Sequence, residues 1–141
     1  MHLQSVHVEQ ITPQLTWRLR RDVLYPNQQL AEMGLDEDNE GVHFGAFKDN
    51  KLAGVVSLFQ KGTDFQFRKL AVELSFQKMG VGSDLLQYIT NYAKENGGTR
   101  IWCNARISAI GFYLRYGFAQ TGALFSKSGN DYEIMEKAIS I

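Results

Sequence analysis

The chain has 141 residues, 44% of them hydrophobic and only two of them proline, which suits one domain with a substantial core and is too short for two ordinary ones. Fifteen basic residues balance fifteen acidic ones, so no global field draws the protein to nucleic acid or to an anionic membrane, and any anion site must be local. Cys103 is the sole cysteine, which excludes an internal disulfide framework and a cysteine-built zinc site. The first ten residues, MHLQSVHVEQ, lack the charged-then-apolar pattern of a secretory leader, and no apolar run is long enough to span a bilayer. The expectation is a single domain over residues 1–141, soluble and cytoplasmic.

In chain order, HLQSVHVEQI reads as a first strand with Leu3, Val6 and Val8 imperfectly patterned. Helix punctuation follows: Thr12 as N-cap, Pro13 at the first helical position, and Leu15, Leu19 and Val23 at spacing four, with Pro26 as the stop. The arginines of RLRRD are placed on the helix surface. Residues 27–41 are polar and acidic, and read as a solvated loop with one short helix around Gln28 to Met33. VHFGAF and KLAGVVSLFQ then form strands joined by Lys48, Asp49 and Asn50, residue types that favour a tight hairpin, and KGTD turns the chain into FQFRKLAV. After these three antiparallel strands comes a helix from about Gly80 to Asn96, with Leu85, Leu86, Ile89 and Ala93 on one arc and Gly97–Gly98 as its stop. A strand RIWCN, a helix SAIGFYLRYG and two strands, FAQTGALF and YEIMEKAI, complete the chain. The order β-α-α-β-β-β-α-β-α-β-β predicts an α/β fold with a mixed sheet flanked by about four helices and a crossover from the fourth strand to the fifth.

Between that fourth strand and the long helix lies QKMGVGSD, Gln77 to Asp84. Free N–H groups at a helix N-terminus bind anions, and glycines let a phosphate approach the backbone. A Walker A loop is excluded, because no Gly-Lys-Ser/Thr is present, and a dinucleotide fingerprint is excluded by Leu85 where its third glycine belongs. Taken alone, the two glycines equally well shape a strand-to-helix turn and nothing more.

QKMGVG matches the Gln/Arg-x-x-Gly-x-Gly/Ala pattern of the GNAT superfamily of acyl-CoA-dependent N-acyltransferases. KLAVELSFQKMGVGSDLLQYI resembles that family's fourth strand, pyrophosphate loop and following helix. NARISAIGFYLRYGF resembles its later segment, in which an aromatic-Tyr helix runs into Gly-Phe. The resemblance covers roughly residues 42–118 and implies a mostly antiparallel GNAT-like sheet. One departure is ELSF, which stands where a proline often precedes the loop. The segment LRRDVLYPNQ with its acidic sequel also looks like a subgroup of small bacterial acetyltransferases.

The resemblance further implies acetyl-CoA as acyl donor, no metal, and an amine acceptor attacking the thioester directly. Backbone groups of Leu70, Ala71 and Val72 would pair with the pantetheine arm, setting the thioester where the fourth and fifth strands splay. Lys78, Met79, Gly80, Val81, Gly82 and Ser83, with Gln77 nearby, would hold the pyrophosphate. Asn104, at the end of the fifth strand, and Ser108 are secondary cofactor contacts, and Arg68 and Lys69 are available to the 3′-phosphate. Tyr113 would protonate the departing thiolate, with Tyr116 as its competitor. On a helical wheel, Ile107, Ile110, Gly111 and Leu114 form an apolar stripe whose centre lies roughly 100° from Tyr113, off the expected buried face. The Val72 N–H would polarise the carbonyl. Glu73 is the candidate base; His43 is a proton relay or an ordinary strand residue, and Cys103 reads as a small buried residue. The carboxylates Glu32, Asp36, Glu37 and Asp38 border the expected acceptor site and point to a cationic amine; a small molecule is the expected acceptor, with a protein amine left open. Dimerisation is common in such families, with no surface here assignable to it. A non-catalytic acyl-CoA sensor and an unrelated α/β protein with a purely structural glycine turn remain the competing readings.

Overall fold

The computed structural model describes residues 6–141; His2 to Ser5 of the expected first strand lie outside them. The chain divides into two compact units, Met1–Phe59 with Lys69–Ile89, and Gln60–Arg68 with Thr90–Ile141. In the first unit, strand β1 (His7–Ile11) pairs antiparallel with β2 (Val42–Lys48), and β2 with β3 (Lys51–Lys61). The β2–β3 turn has Asp49 at φ 53° and Asn50 at φ 63°. Two left-handed central residues make the turn whose twist matches paired strands, which is why Asp-Asn works there. Strand β4 (Asp64–Val72) follows β3.

The expected helix after Thr12 forms as three pieces: a 3-10 turn over Pro13–Thr16, a single α-turn α1 (Trp17–Leu19), and a π-turn over Arg20–Leu24. Pro13 starts it as read. Leu15 is 53% exposed, whereas Leu19 is fully buried. A 3-10 turn has three residues per turn, so spacing four does not keep Leu15 on the face of Leu19. The short helix expected near Gln28–Met33 is a 3-10 turn, Leu30–Glu32, and a second such turn covers Asp38–Glu40. Leu19, Val55 and Ala71 form a buried cluster, joined by Ile11, Val23, Leu24 and Leu52.

Helix α2 (Val81–Glu95) follows β4 and a 3-10 turn, Leu74–Phe76. Its predicted stripe holds: Leu85, Leu86, Ile89 and Ala93 are buried, as is Val81. A Cβ at Gly54 of β3 would fall 2.9 Å from Val81 Cγ1 and 3.0 Å from Leu85 Cδ1, so only glycine lets the first turn of α2 seat there. The helix closes with Gly97 N–H donating to Lys94 O at 3.1 Å and Gly98 N–H to Ala93 O at 2.8 Å, the paired bonds of a Schellman end.

In the second unit, β5 (Arg100–Arg106) runs parallel to β4, with Asp64 to Gln66 opposite Arg100 to Trp102. It pairs antiparallel with β7 (Asn130–Ala138), which pairs with β6 (Ala119–Lys127). The strand order is β1-β2-β3-β4-β5-β7-β6, a mostly antiparallel seven-stranded sheet among the described residues. The crossover from β4 to β5 through α2 is as predicted. Ile101, Cys103 and Ala105 alternate inward on β5, and Met135 lies opposite Cys103. A 3-10 turn, Ile107–Ala109, leads into α3 (Ile110–Arg115). Three α-helices are therefore present among the described residues where about four were expected, the difference being the 3-10 turns of the acidic segment.

Candidate active site

The turn from β4 into α2 is built by backbone conformation. Lys78 and Gly80 both have left-handed backbones, φ 65° and 84°, and the residues from Gln77 to Gly80 are exposed. The first helical bond runs from Asp84 N–H to Gly80 O at 2.9 Å. The N–H groups of Gly80, Val81, Gly82 and Ser83 precede it and have no intrahelical acceptor. Nothing lies within 4 Å of where a Cβ on Gly80 would stand. Packing therefore does not require this glycine; its left-handed backbone favours it. N–H groups without intrahelical acceptors, a helix dipole and open space at Gly80 suit a phosphate. Met79 is 56% exposed. The Gln77 amide donates to Val72 O at 2.9 Å and ties the loop to the end of β4.

Leu70, Ala71 and Val72 end β4, with Ala71 buried and its neighbours half-buried. Lys69, just before them, has φ 58°, a left-handed residue inside a strand. Such a residue interrupts the pleat and re-aims the strand beyond it. The Lys69 ammonium donates to the Tyr25 hydroxyl and stands 4.6 Å from the centroid of the same ring. It is thus committed to Tyr25. Glu73 follows β4 directly, with its N–H donating to Ala53 O at 2.8 Å.

Asn104 and Ser108 belong to the second unit, and both are exposed. Asn104 lies inside β5, opposite Ile134, because the strand continues to Arg106 past its expected end. Tyr113 packs with Phe67 at 5.7 Å between ring centroids and with Phe118 at 5.9 Å. Burial pushes the Tyr113 phenol above its ordinary value, and charge on Cys103 would act in the same sense. Contrary to the helical wheel, Ile107 is 44% and Leu114 47% exposed, so the apolar stripe faces out and Tyr113 faces the aromatic cluster. The 3-10 start of this short helix shifts the phase assumed for a continuous one. Tyr116 packs against Phe112 with the rings tilted and their centroids 5.0 Å apart. Burial pushes the Cys103 thiol up to about 12, in keeping with a small buried residue.

A buried polar cluster in the first unit was not anticipated. Arg20, placed on the surface from sequence, is 1% exposed. Its Nη1 donates to Asp38 Oδ2 and to Met33 O, each at 2.9 Å, and its Nη2 to Asp38 Oδ1 at 3.0 Å and Ser57 Oγ at 2.9 Å. Asp38 also accepts from Leu35 N–H at 2.9 Å. Burial alone would raise the Asp38 carboxyl; the Arg20 hydrogen bonds, the Leu35 N–H and the Arg20 charge prevail and hold it below its ordinary value. Asp38 is therefore neutralised internally and is not an exposed loop carboxylate. His43 is buried with Nδ1 2.7 Å from Ser57 Oγ and Nε2 2.8 Å from Asp38 O. The neutral tautomer with its proton on Nε2 gives every one of these contacts one donor and one acceptor. Glu32 turns back to cap its own 3-10 turn, accepting from Gln29 N–H at 3.0 Å.

A second missed carboxylate is Glu133 on β7, 4% exposed, which accepts from Gln120 Nε2 at 3.0 Å and Gly122 N–H at 2.9 Å and pins the irregularity in β6. The only sequence signal for it was a charged residue two positions from Met135 on an alternating strand.

Residues 9–139 match the family model described as an acetyltransferase (GNAT) domain. The chain belongs to this family of N-acetyltransferases. It is 26% identical over 144 residues to an uncharacterised N-acetyltransferase of Bacillus subtilis, YitI, with 95% of this chain and 97% of that one covered. Its fold is similar to that of the ribosomal-protein-S18-alanine N-acetyltransferase of Escherichia coli, with a TM-score of 0.80, 16% identity, and 97% and 96% of the two chains covered. It is also similar to a GNAT family acetyltransferase of Elizabethkingia anophelis with acetyl-CoA bound, at TM-score 0.74, 18% identity, and 95% and 98% coverage. No helix among the described residues is long and apolar enough to cross a membrane.

Proposed function

We propose that this chain, read as one domain over residues 1–141, transfers an acetyl group from acetyl-CoA to a primary amine by direct attack on the thioester. The observation that carries the reading is the exposed Gln77–Gly80 loop leading into the start of α2. There four N–H groups without intrahelical acceptors follow β4 after a short 3-10 turn and the Gln77–Gly80 loop, in a chain whose family match spans residues 9–139. In this reading the N–H groups from Lys78 to Ser83 hold the pyrophosphate. The Gln77 side chain serves by fixing the loop to Val72. Backbone groups of Leu70, Ala71 and Val72 pair with the pantetheine arm, and Asn104 and Ser108 contribute exposed polar groups to the cofactor.

The reaction asks for an amine free of its extra proton, a polarised carbonyl and a donor for the leaving thiolate. Glu73 takes the role of base, since its backbone is fixed directly after the cofactor strand. The Val72 N–H polarises the carbonyl. Tyr113 is the acid. Its raised phenol remains protonated at neutral pH, and it releases the proton only as thiolate charge develops in surroundings that also disfavour that charge. Asp38 is withdrawn from the acceptor candidates by Arg20, so a cationic acceptor would meet the remaining candidates Glu32, Asp36 and Glu37.

Thermal unfolding with saturating acetyl-CoA, beside ATP and NAD as controls, tests the cofactor assignment. A ligand at a hundred times its Kd adds about 2.7 kcal/mol, which for a chain of this size raises Tm by roughly 5 to 15 °C. A shift with acetyl-CoA alone supports the reading; none in the folded protein returns the loop to a structural turn. Binding without turnover of any amine assigns a sensor instead of an enzyme.

A further inference from the structure

The segment from Pro26 to Gly41 gives the core little beyond Met33: its regular structure is two 3-10 turns, and Leu30 is 41% exposed. It is held from outside near both ends, with His43 Nε2 at Asp38 O among the contacts. Arg20 grips its far half through Met33 O and Asp38. Tyr25 stands at its near end, where the π-turn closes with Tyr25 N–H donating to Arg20 O at 3.2 Å and Arg21 O at 3.0 Å. Gln28 N–H then bonds back to Tyr25 O at 3.0 Å. The position of Tyr25 therefore sets where the segment departs.

Tyr25 is in turn held by Lys69, through a hydrogen bond to its hydroxyl and an ammonium over its ring. Lys69 is no ordinary strand residue. Its backbone is left-handed at φ 58°, a conformation an L-residue keeps only where its surroundings impose it. The residues immediately after it are Leu70, Ala71 and Val72.

We propose that Lys69 is a positioning residue that couples the end of β4 to the Pro26–Gly41 segment, so that acyl-CoA on Leu70–Val72 and a docked segment stabilise one another. The inference rests on the acyl-CoA reading above. A ligand pairing with the backbone of residues 70–72 fixes the strand, which fixes the left-handed turn at Lys69 and holds its ammonium on Tyr25. When Lys69 relaxes to an extended backbone, its side chain leaves the ring and the near end of the segment loses its anchor. Such coupling is reciprocal: whatever the ligand does for the segment, the docked segment does for the ligand.

The test is amide hydrogen exchange on the full chain with and without saturating acetyl-CoA, alongside calorimetric titration of the same ligand. In the wild type, acetyl-CoA is expected to slow exchange over residues 26–41 by roughly fivefold, the low end of ordinary coupling. Lys69→Met is expected to abolish that slowing and to raise the acetyl-CoA Kd by the same factor. Lys69→Arg, which keeps a cation over the ring, is expected to restore both. Tyr25→Phe keeps the ring face and removes the oxygen, and is expected to fall between. Should Lys69→Met prove poorly folded, the Tyr25→Phe and Lys69→Arg pair carries the same comparison. A merely structural Lys69 would lower Tm while leaving the acetyl-CoA-dependent difference intact, which overturns the proposal. So does tight acetyl-CoA binding to the wild type with no slowing in residues 26–41. Absence of acetyl-CoA binding to the wild type is a different failure, that of the acyl-CoA reading itself.

Discussion

The Gln77–Ser83 loop and the Arg20 cluster belong to the same unit and are made in opposite ways. The loop is exposed from Gln77 to Gly80, sinks inward at Val81, and consists of main-chain groups arranged by two left-handed residues and a helix start. The cluster is buried and consists of side chains drawn from the π-turn, the acidic segment, β2 and β3, with Arg20 and Ser57 separated by 37 positions. A backbone-built site is written in adjacent residues. A side-chain-built one is scattered along the chain and becomes visible only when the chain has folded. They should also fail differently: the loop through lost binding in an intact fold, the cluster through lost stability.

The largest effect should come from the buried side. Asp38→Ala leaves the Arg20 guanidinium buried without its carboxylate and should cost about 3–5 kcal/mol in urea unfolding. The same ion pair predicts an acid limb. Because the folded-state pKa of Asp38 lies below its ordinary 3.8, its contribution is complete above the unfolded value and is lost as pH falls through the folded one. The gap between the wild type and Asp38→Asn should narrow over that window; a constant gap would show that charge on Asp38 is not what stabilises the cluster. Next in size is Tyr113→Phe, which should lower turnover of any acetylated amine about 100-fold with the acetyl-CoA Kd unchanged. Full wild-type rate at every pH would remove the acid role from Tyr113. Smallest is the loop. Gly80→Ala should cost about 1 kcal/mol of stability, because φ 84° suits only glycine without strain. Gly80→Glu should add to that a roughly tenfold weaker acetyl-CoA Kd, about 1.4 kcal/mol. Equal binding by the two variants would show that the open space at Gly80 is not where the anion lies.

The two later helices show what a sequence pattern can and cannot carry. The stripe of α2 was legible because the helix spans Val81–Glu95 and repeats its arc four times over, with Gly97 and Gly98 closing it as read. The stripe of α3 was not, because the helix has little more than one turn, Ile110–Arg115, after a 3-10 start. There the wheel predicts a buried Ile107 and Leu114, and the structure exposes both while turning Tyr113 toward Phe67 and Phe118. The Asp49–Asn50 hairpin and the succession of strands along the chain were legible from turn chemistry and alternation, but the place of β7 between β5 and β6 was not. The buried state of Arg20 was not, since a guanidinium can be buried only if an acceptor set waits for it, and Asp38 and Ser57 lie in other segments. Its one local hint was position: it directly follows the buried Leu19 and stands four residues after the buried Thr16.

The place of Cys103 on β5 has a practical side. Transfer of an acyl group from CoA liberates a new thiol, and the protein's own sulfur is buried and held protonated. Thiolate is the species that reacts with disulfide dyes. A dye added to the folded protein should therefore count released CoA alone, in real time. Any slow signal seen in the absence of substrate would come from Cys103 emerging, and so would serve as a built-in clock for the opening of β5.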